Sequence, residues 1–151
     1  MEEMQIIHLT PILNVSDIAA SLSWFEALGW KRCWTYNNGG PIDDSADANE
    51  EGPATFASVA NGDCEIFLCK DGQGSRGGPL PRFAGDDETG AVWMSWWLSK
   101  PVDVDALHSL AREQGFTITN PPTDEPWGVR EFHLRHPDGH TFRVSAGIEG
   151  V

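Results

Sequence analysis

Cations are what this chain has least of. Its 151 residues hold 10 Lys and Arg against 23 Asp and Glu, a formal net charge of −13. A binder of DNA or RNA needs a basic footprint to displace counterions from phosphates, so nucleic acid is excluded as a partner. Cysteine is scarce as well. Cys33, Cys64 and Cys69 are an odd number and form no disulfide framework. Nothing at the start reads as a signal peptide, so a reducing, cytoplasmic setting is expected. No apolar run nears the roughly 20 residues that cross a bilayer, so no membrane partner is expected. Tyrosine occurs once, whereas tryptophan occurs seven times. A hydrophobic content of 40% suffices for the core of a single domain.

What is present falls into short, well-punctuated segments. Ile6–Leu13 reads as a strand, with Ser16 and Asp17 as cap candidates behind it. Ile18, Leu22, Phe25 and Leu28 recur at helical spacing, and Gly29 stops the helix. Trp30–Thr35 returns as a strand. Tyr36–Gly52 reads as a loop carrying Asp43, Asp44, Asp47, Glu50 and Glu51 without a basic residue. Ala54–Val59 and Cys64–Cys69 flank Asn61-Gly62, a type I′ hairpin signal. Asp71–Gly90 is a Gly/Pro-rich connector. Its Gly72–Gly77 run has the form G-x-G-x-x-G, but Pro79 and Pro81 follow, so it opens no helix and holds no dinucleotide. Ala91–Leu98 is a strand rich in tryptophan. Val104, Leu107, Leu110 and Ala111 mark a second helix ending near Gly115, then Phe116–Thr119 a strand and Asn120–Glu125 a loop.

Pro126–Ser145 is the most informative stretch. Pro137-Asp138-Gly139 supplies turn chemistry between two arms of period two. Phe132, Leu134, Phe142 and Val144 fall on one face. Glu131, His133, Arg135, Thr141, Arg143 and Ser145 fall on the other. His133, His136 and His140 imitate a metal tract, but extended geometry puts the first two on opposite faces.

The chain also repeats itself. Asp17 precedes Gly29 by 12 positions, as Asp103 precedes Gly115, and a turn signal follows each helix–strand unit. The expected fold is α+β: two βαβββ modules, about residues 5–70 and 91–147, joined by connector 71–90. Each lays its helix on one side of a curved sheet and leaves a concave face on the other.

This arrangement resembles the vicinal oxygen chelate superfamily, which includes glyoxalase I, extradiol dioxygenases and the bleomycin-resistance proteins. The resemblance rests on NVSDIAASLSWFEALGW, GDCEIFLC, AVWMSWWL and EPWGVREFHLRHPDGHTFRV. The last stretch brings it closest to bleomycin-resistance-like members, which share Pro-Trp-Gly, Arg-Glu-Phe and a Pro-x-Gly turn. Here that turn is opened by His136 rather than the usual Asp. Metal-using members place a His, Glu or Gln on each of several facing strands. The matching positions are Thr10, Phe67, Ser95 and Arg143. None suits a divalent cation: Phe67 cannot ligate, Thr10 and Ser95 are poor lone donors, and Arg143 is itself a cation. No metal and no cofactor is therefore expected. His8 and Glu65 share those faces and would supply donors if the register slipped by two.

The resemblance implies that Trp127, of Pro-Trp-Gly, stacks on a flat ligand. Alternation puts Trp93 and Trp97 with Ser95 on the cavity face, as candidates for an aromatic wall. Trp34 borders the acidic loop and is a candidate for a second plate. His133 joins Glu131 and Arg143 as cavity-lining polar groups. Aromatic plates and acidic residues together suit a cationic aromatic guest, with the loop acids as a rim. The expected partners are thus a small molecule of that kind and a second copy of the chain, because small members of the family dimerise. The expected function is metal-free sequestration of an antibiotic-like molecule. Two alternatives stand beside it. One is an enzyme of the same superfamily, metal-dependent or using Glu131, His133 and Arg143 with Glu or His as general base. The other is a binder of an endogenous metabolite. No nucleophilic triad is apparent.

Overall fold

The computed structural model describes residues 3–43, 46–74 and 92–148. Asp44, most of the expected connector with the tail of its glycine motif, and Ala91 lie outside them. Two compact units result, one ending at Gly74 and the other formed by the described residues from Val92 onward.

The first unit begins with β1 (Ile12–Val15) and α1 (Ile18–Ala27). The expected strand over Ile6–Leu13 starts late. Pro11 has no N–H to give a ladder, although its carbonyl accepts from Phe67 N–H at 2.9 Å. Residues 3–11 run outside any sheet, and Ile6 and Leu9 are each 85% exposed. Asp17 caps α1 by accepting from Ala20 N–H at 3.0 Å. Gly29, at φ +92°, closes it. Ile18, Leu22 and Phe25 then face the core, as their spacing requires.

The sheet continues with β2 (Lys31–Asn37), β3 (Gly40–Ile42), β6 (Phe56–Asn61) and β7 (Cys64–Lys70), in the order β1-β7-β6-β2-β3. β1 is parallel to β7. The expected Tyr36–Gly52 loop is not all loop. It holds β3, antiparallel to β2, and a small pair, β4 (Ala48–Asn49) and β5 (Gly52–Pro53). Reciprocal Asn37–Asn49 amide bonds at 2.7 and 3.1 Å hold that pair down. The β6–β7 hairpin also shifts by one residue, because Asn61 pairs with Cys64 and leaves Gly62-Asp63 as the loop. Gly62 has φ +57° whereas Asp63 has none of positive sign, the type II′ pattern rather than I′.

The second unit repeats the plan: β8 (Trp93–Trp97), α2 (Pro101–Glu113), β9 (Thr117–Glu125), β10 (Val129–Arg135) and β11 (Thr141–Gly147). Sheet order is β8-β11-β10-β9, with β8 parallel to β11, matching β1-β7-β6-β2. Pro101 sits in the first turn of α2, where its missing N–H costs nothing. The main correction here is β9. The expected strand over Phe116–Thr119 and loop over Asn120–Glu125 are one strand that runs through Pro121 and Pro122. β9 is an edge, and register shifts against β10 absorb the prolines. Phe132, Leu134, Phe142 and Val144 are fully buried, and Trp96 stacks on Phe142 at 4.5 Å between centroids. Each such side chain contributes roughly 1.5–3 kcal/mol by leaving water. That apolar layer under α2 fixes where the opposite face of β10 and β11 points.

Candidate functional site

A cleft of about 540 Å³ opens on that opposite face, lined by Trp93, Glu125, Trp127, Glu131, His133 and Arg143. Alternation along β10 puts Glu131 and His133 there, opposite the buried Phe132 and Leu134. The β10–β11 register sets His133 across from Arg143, and the β11–β8 register sets Arg143 beside Ser95. Trp127 enters from the turn before β10, where Gly128 takes φ +89°.

Glu131 is the hub. Its side chain is 1% exposed, and both oxygens are occupied. Arg143 grips it side-on, Nε to Oε2 and a terminal guanidinium nitrogen to Oε1, both at 3.0 Å. His133 Nε2 meets Oε2 at 2.9 Å, and the Trp127 indole N–H donates to Oε1 at 3.1 Å. Burial alone would raise the carboxyl pKa, but the bonds from Arg143, His133 and Trp127 outweigh it and hold it below the usual value. The Arg143 pKa rises, chiefly through its bonds to Glu131 and against the smaller effect of desolvation. The guanidinium also lies 5.9 Å from the Trp127 ring centroid, a cation–π distance. Trp127 remains 60% exposed, and Trp93 sets its ring edge-on to His133 at 5.6 Å. The arrangement can hold a flat ligand against a fixed indole.

Of the residues expected at the site, Trp93, Trp127, Glu131, His133 and Arg143 come together. Trp97 and Ser95 do not line the cleft, and Trp97 is 67% exposed on the short edge strand β8. His8 and Thr10 belong to the first unit and lie in the segment ahead of β1, His8 exposed and Thr10 half-buried. Trp34 and Phe67 also belong to that unit, clustered with Phe56 at 5.2–5.5 Å between centroids. Glu65 there is bonded by Ser58 Oγ at 2.6 Å. The acidic loop is also in the first unit. Its Asp47 is paired to Arg32 at 3.0 Å, and Arg32 also holds Glu26 of α1 at 3.1 Å. Glu125 was not among the expected site residues, because two nearby prolines disguised its strand as a loop.

The repeat also corrects the first-strand ligand position. Ile12 pairs with Phe67 as Ser95 pairs with Arg143, so Ile12, not Thr10, is the structural counterpart. Within the first unit Ile12 and Phe67 offer no metal donor, and within the second Ser95 and Arg143 offer only a hydroxyl and a cation. The buried carboxylate of the cleft, Glu131, is saturated by the guanidinium, an indole and an imidazole. A resident metal does not fit these donors. Among the described residues no group of three or more His, Cys, Asp or Glu is placed to hold one. His136 and His140 meet at 5.5 Å between ring centroids but are 1% and 0% exposed, in the turn beyond the cleft. Among the described residues no helix is long and apolar enough to cross a membrane.

The family model described as Glyoxalase/Bleomycin resistance protein/Dioxygenase superfamily matches residues 5–144. No curated protein matches by sequence. Solved structures share the fold. A glyoxalase/bleomycin resistance protein/dioxygenase from Nocardioides has TM-score 0.65 at 18% identity, over 100% of this chain and 89% of its own. TioX from Micromonospora sp. ML1 has 0.66 at 18%, over 93% and 98%. A bleomycin-binding protein complexed with bleomycin has 0.60 at 16%, over 94% and 99%.

Proposed function

The chain belongs to the Glyoxalase/Bleomycin resistance protein/Dioxygenase superfamily, and from that premise we propose that it is a metal-free binding protein that sequesters a cationic, aromatic, antibiotic-like small molecule. The observation that carries this reading is the Arg143–Glu131 pair, bidentate at 3.0 Å, standing at the centre of the cleft. It neutralises the buried carboxylate and leaves neither oxygen for a metal, while fixing Trp127 as a stacking plate. A bleomycin-binding protein of the same fold supports a flat guest by analogy. Protection would follow from mass action, with the drug held and unaltered. The protein works as a cytoplasmic homodimer in this reading. Support for dimerisation comes from residues 3–11. Met4, Ile6, Ile7 and Leu9 are 81–98% exposed, and Glu3 is the only carboxylate there in a chain of charge −13. Such a surface can meet a second copy without charge repulsion.

The test is titration of intrinsic tryptophan fluorescence with bleomycin, beside elemental analysis of the purified protein. Quenching with a micromolar midpoint and no stoichiometric metal is expected. A stoichiometric divalent metal, or no response to high micromolar drug, refutes the reading. An enzyme built on Glu131, His133 and Arg143 is the competing reading, favoured by the 2.9 Å Glu131–His133 contact. Against it, a carboxylate already accepting from Arg143, His133 and Trp127 is a poor base. Turnover of the bound molecule would decide for the enzyme.

A further inference from the structure

The cleft holds two carboxylates in different states. Glu131 accepts from Arg143 twice, from His133 and from Trp127. A carboxylate has about four lone-pair sites, so these contacts fill it, and at 1% exposure no guest can displace them cheaply. Its charge is also cancelled by Arg143. Glu125 differs on every count. It stands at the last position of β9, lines the same cleft and is only partly buried. Among the described residues its carboxylate has no hydrogen-bond or ion-pair partner, although it lies near enough to act on the charge of Arg143. Glu131 and Arg143 cancel, so the uncompensated charge of the cleft is the single negative one on Glu125. The two tryptophans frame it. Trp127 follows Glu125 by two positions across the turn in which Gly128 N–H bonds the Glu125 carbonyl at 3.0 Å. This hydrogen bond fixes the spacing between plate and charge.

We propose that Glu125 is the residue that selects cationic guests, and that Glu131 only positions Trp127. The inference rests on the cleft being a small-molecule site, as put forward above. A guest would lay its ring on the open face of Trp127, whose other side carries the Arg143 guanidinium, and direct its positive group towards Glu125. The same charge disfavours anionic rings, so the selection is by charge sign and not by size.

Two planar probes of nearly equal shape separate the terms: 10-methylacridinium, a permanent cation, and acridine, which is neutral at pH 8. Binding is read from tryptophan quenching in the full chain at low and moderate salt. Wild type is expected to prefer the cation by roughly tenfold at low salt, and the preference shrinks as salt screens it. In Glu125→Gln the preference falls to about twofold or less, because the cation weakens far more than the neutral ring. Trp127→Phe, which keeps an aromatic ring and every charge but loses the indole N–H bond to Glu131, weakens both probes together and keeps their ratio. Circular dichroism of each variant establishes that it is folded. If wild type prefers the cation and Glu125→Gln keeps the preference, the assignment of Glu125 is overturned while the binding cleft stands. If wild type binds neither probe, the small-molecule reading of the cleft falls and takes the assignment with it.

Discussion

The buried pair His136 and His140 makes acid stability the sharpest quantitative test of this fold. Both imidazoles accept at Nδ1, His136 from Asp138 N–H at 3.0 Å and His140 from Val92 N–H at 3.1 Å. Burial, with the neighbouring His140 adding to it and Asp138 opposing, lowers the His136 pKa from 6.5 to about 3. The unfolded chain binds its proton as pH falls through 6.5, but the native protein refuses it until about 3. Stability is therefore lost on acidification across that interval. Linkage puts the loss at about 2 kcal/mol at pH 5 and about 3 kcal/mol at pH 4. The comparison that isolates it is wild type against His136→Asn, whose side-chain oxygen can still accept from Asp138 N–H. Urea unfolding followed by circular dichroism at pH 7.5 and pH 5 gives four free energies. The variant should be the less stable protein at pH 7.5, and its deficit should shrink by about 2 kcal/mol at pH 5. His108, whose pKa burial also lowers, titrates in both proteins and cancels. Equal deficits at the two pH values would refute the neutral buried imidazole.

Three further outcomes follow from the site and the caps. Arg143→Met leaves Glu131 buried without its cation, and should cost about 2–4 kcal/mol in urea unfolding, with most of the loss recovered in the double variant carrying Glu131→Leu. Because the Glu131 pKa lies below its usual value, the stability it contributes is present above about pH 4.5 and disappears as pH falls through the lowered value. That loss adds to the imidazole effect only below the pH 5 measurement. Trp127→Ala, at a position 60% exposed, should change stability by less than about 1 kcal/mol yet weaken a stacking ligand by about 1–3 kcal/mol, measured by isothermal titration. Asp17→Ala removes the cap on Ala20 N–H and should lower thermal stability by the equivalent of about 1 kcal/mol.

Much of the fold was legible because local chemistry and tertiary need agree. Asp17, the helix spacing of Ile18, Leu22 and Phe25, and Gly29 specify α1 without outside help. Period two along Glu131–Arg135 sorted the cleft from the core, since Phe132 and Leu134 are fully buried. The family followed from the repeat and the Pro-Trp-Gly hairpin, and the matched residues 5–144 agree with it. The misread strands have a common physical cause. Proline at 121 and 122 argues against a strand only when the strand is central, and no local signal tells that β9 is an edge. At the start of the chain the opposite happened. Ile6–Leu13 has the right residues for a strand, but pairing depends on a neighbour, and β7 meets the chain only from Ile12. Glu125 was missed through the first effect. The fourfold binding of Glu131 was out of reach for another reason: side-chain convergence from β10, β11 and a turn is set by register, which sequence spacing does not encode.

The knot around Glu131 also bears on how such a chain can change over generations. Exchanging Arg143 for a glutamate, the smallest step towards a ligand set, would press two carboxylates together about 3 Å apart, as judged from the present Arg143–Glu131 bonds. The same step would strip the buried Glu131 of its cation and loosen both His133 and Trp127. Exchanging Glu131 first would strand the guanidinium instead. By the cost of a buried unpaired charge, each single-residue exchange is expected to be less stable than the present pair. Drift can remodel the exposed plates and Glu125, and hence the guest, far more easily than it can reach a different kind of chemistry.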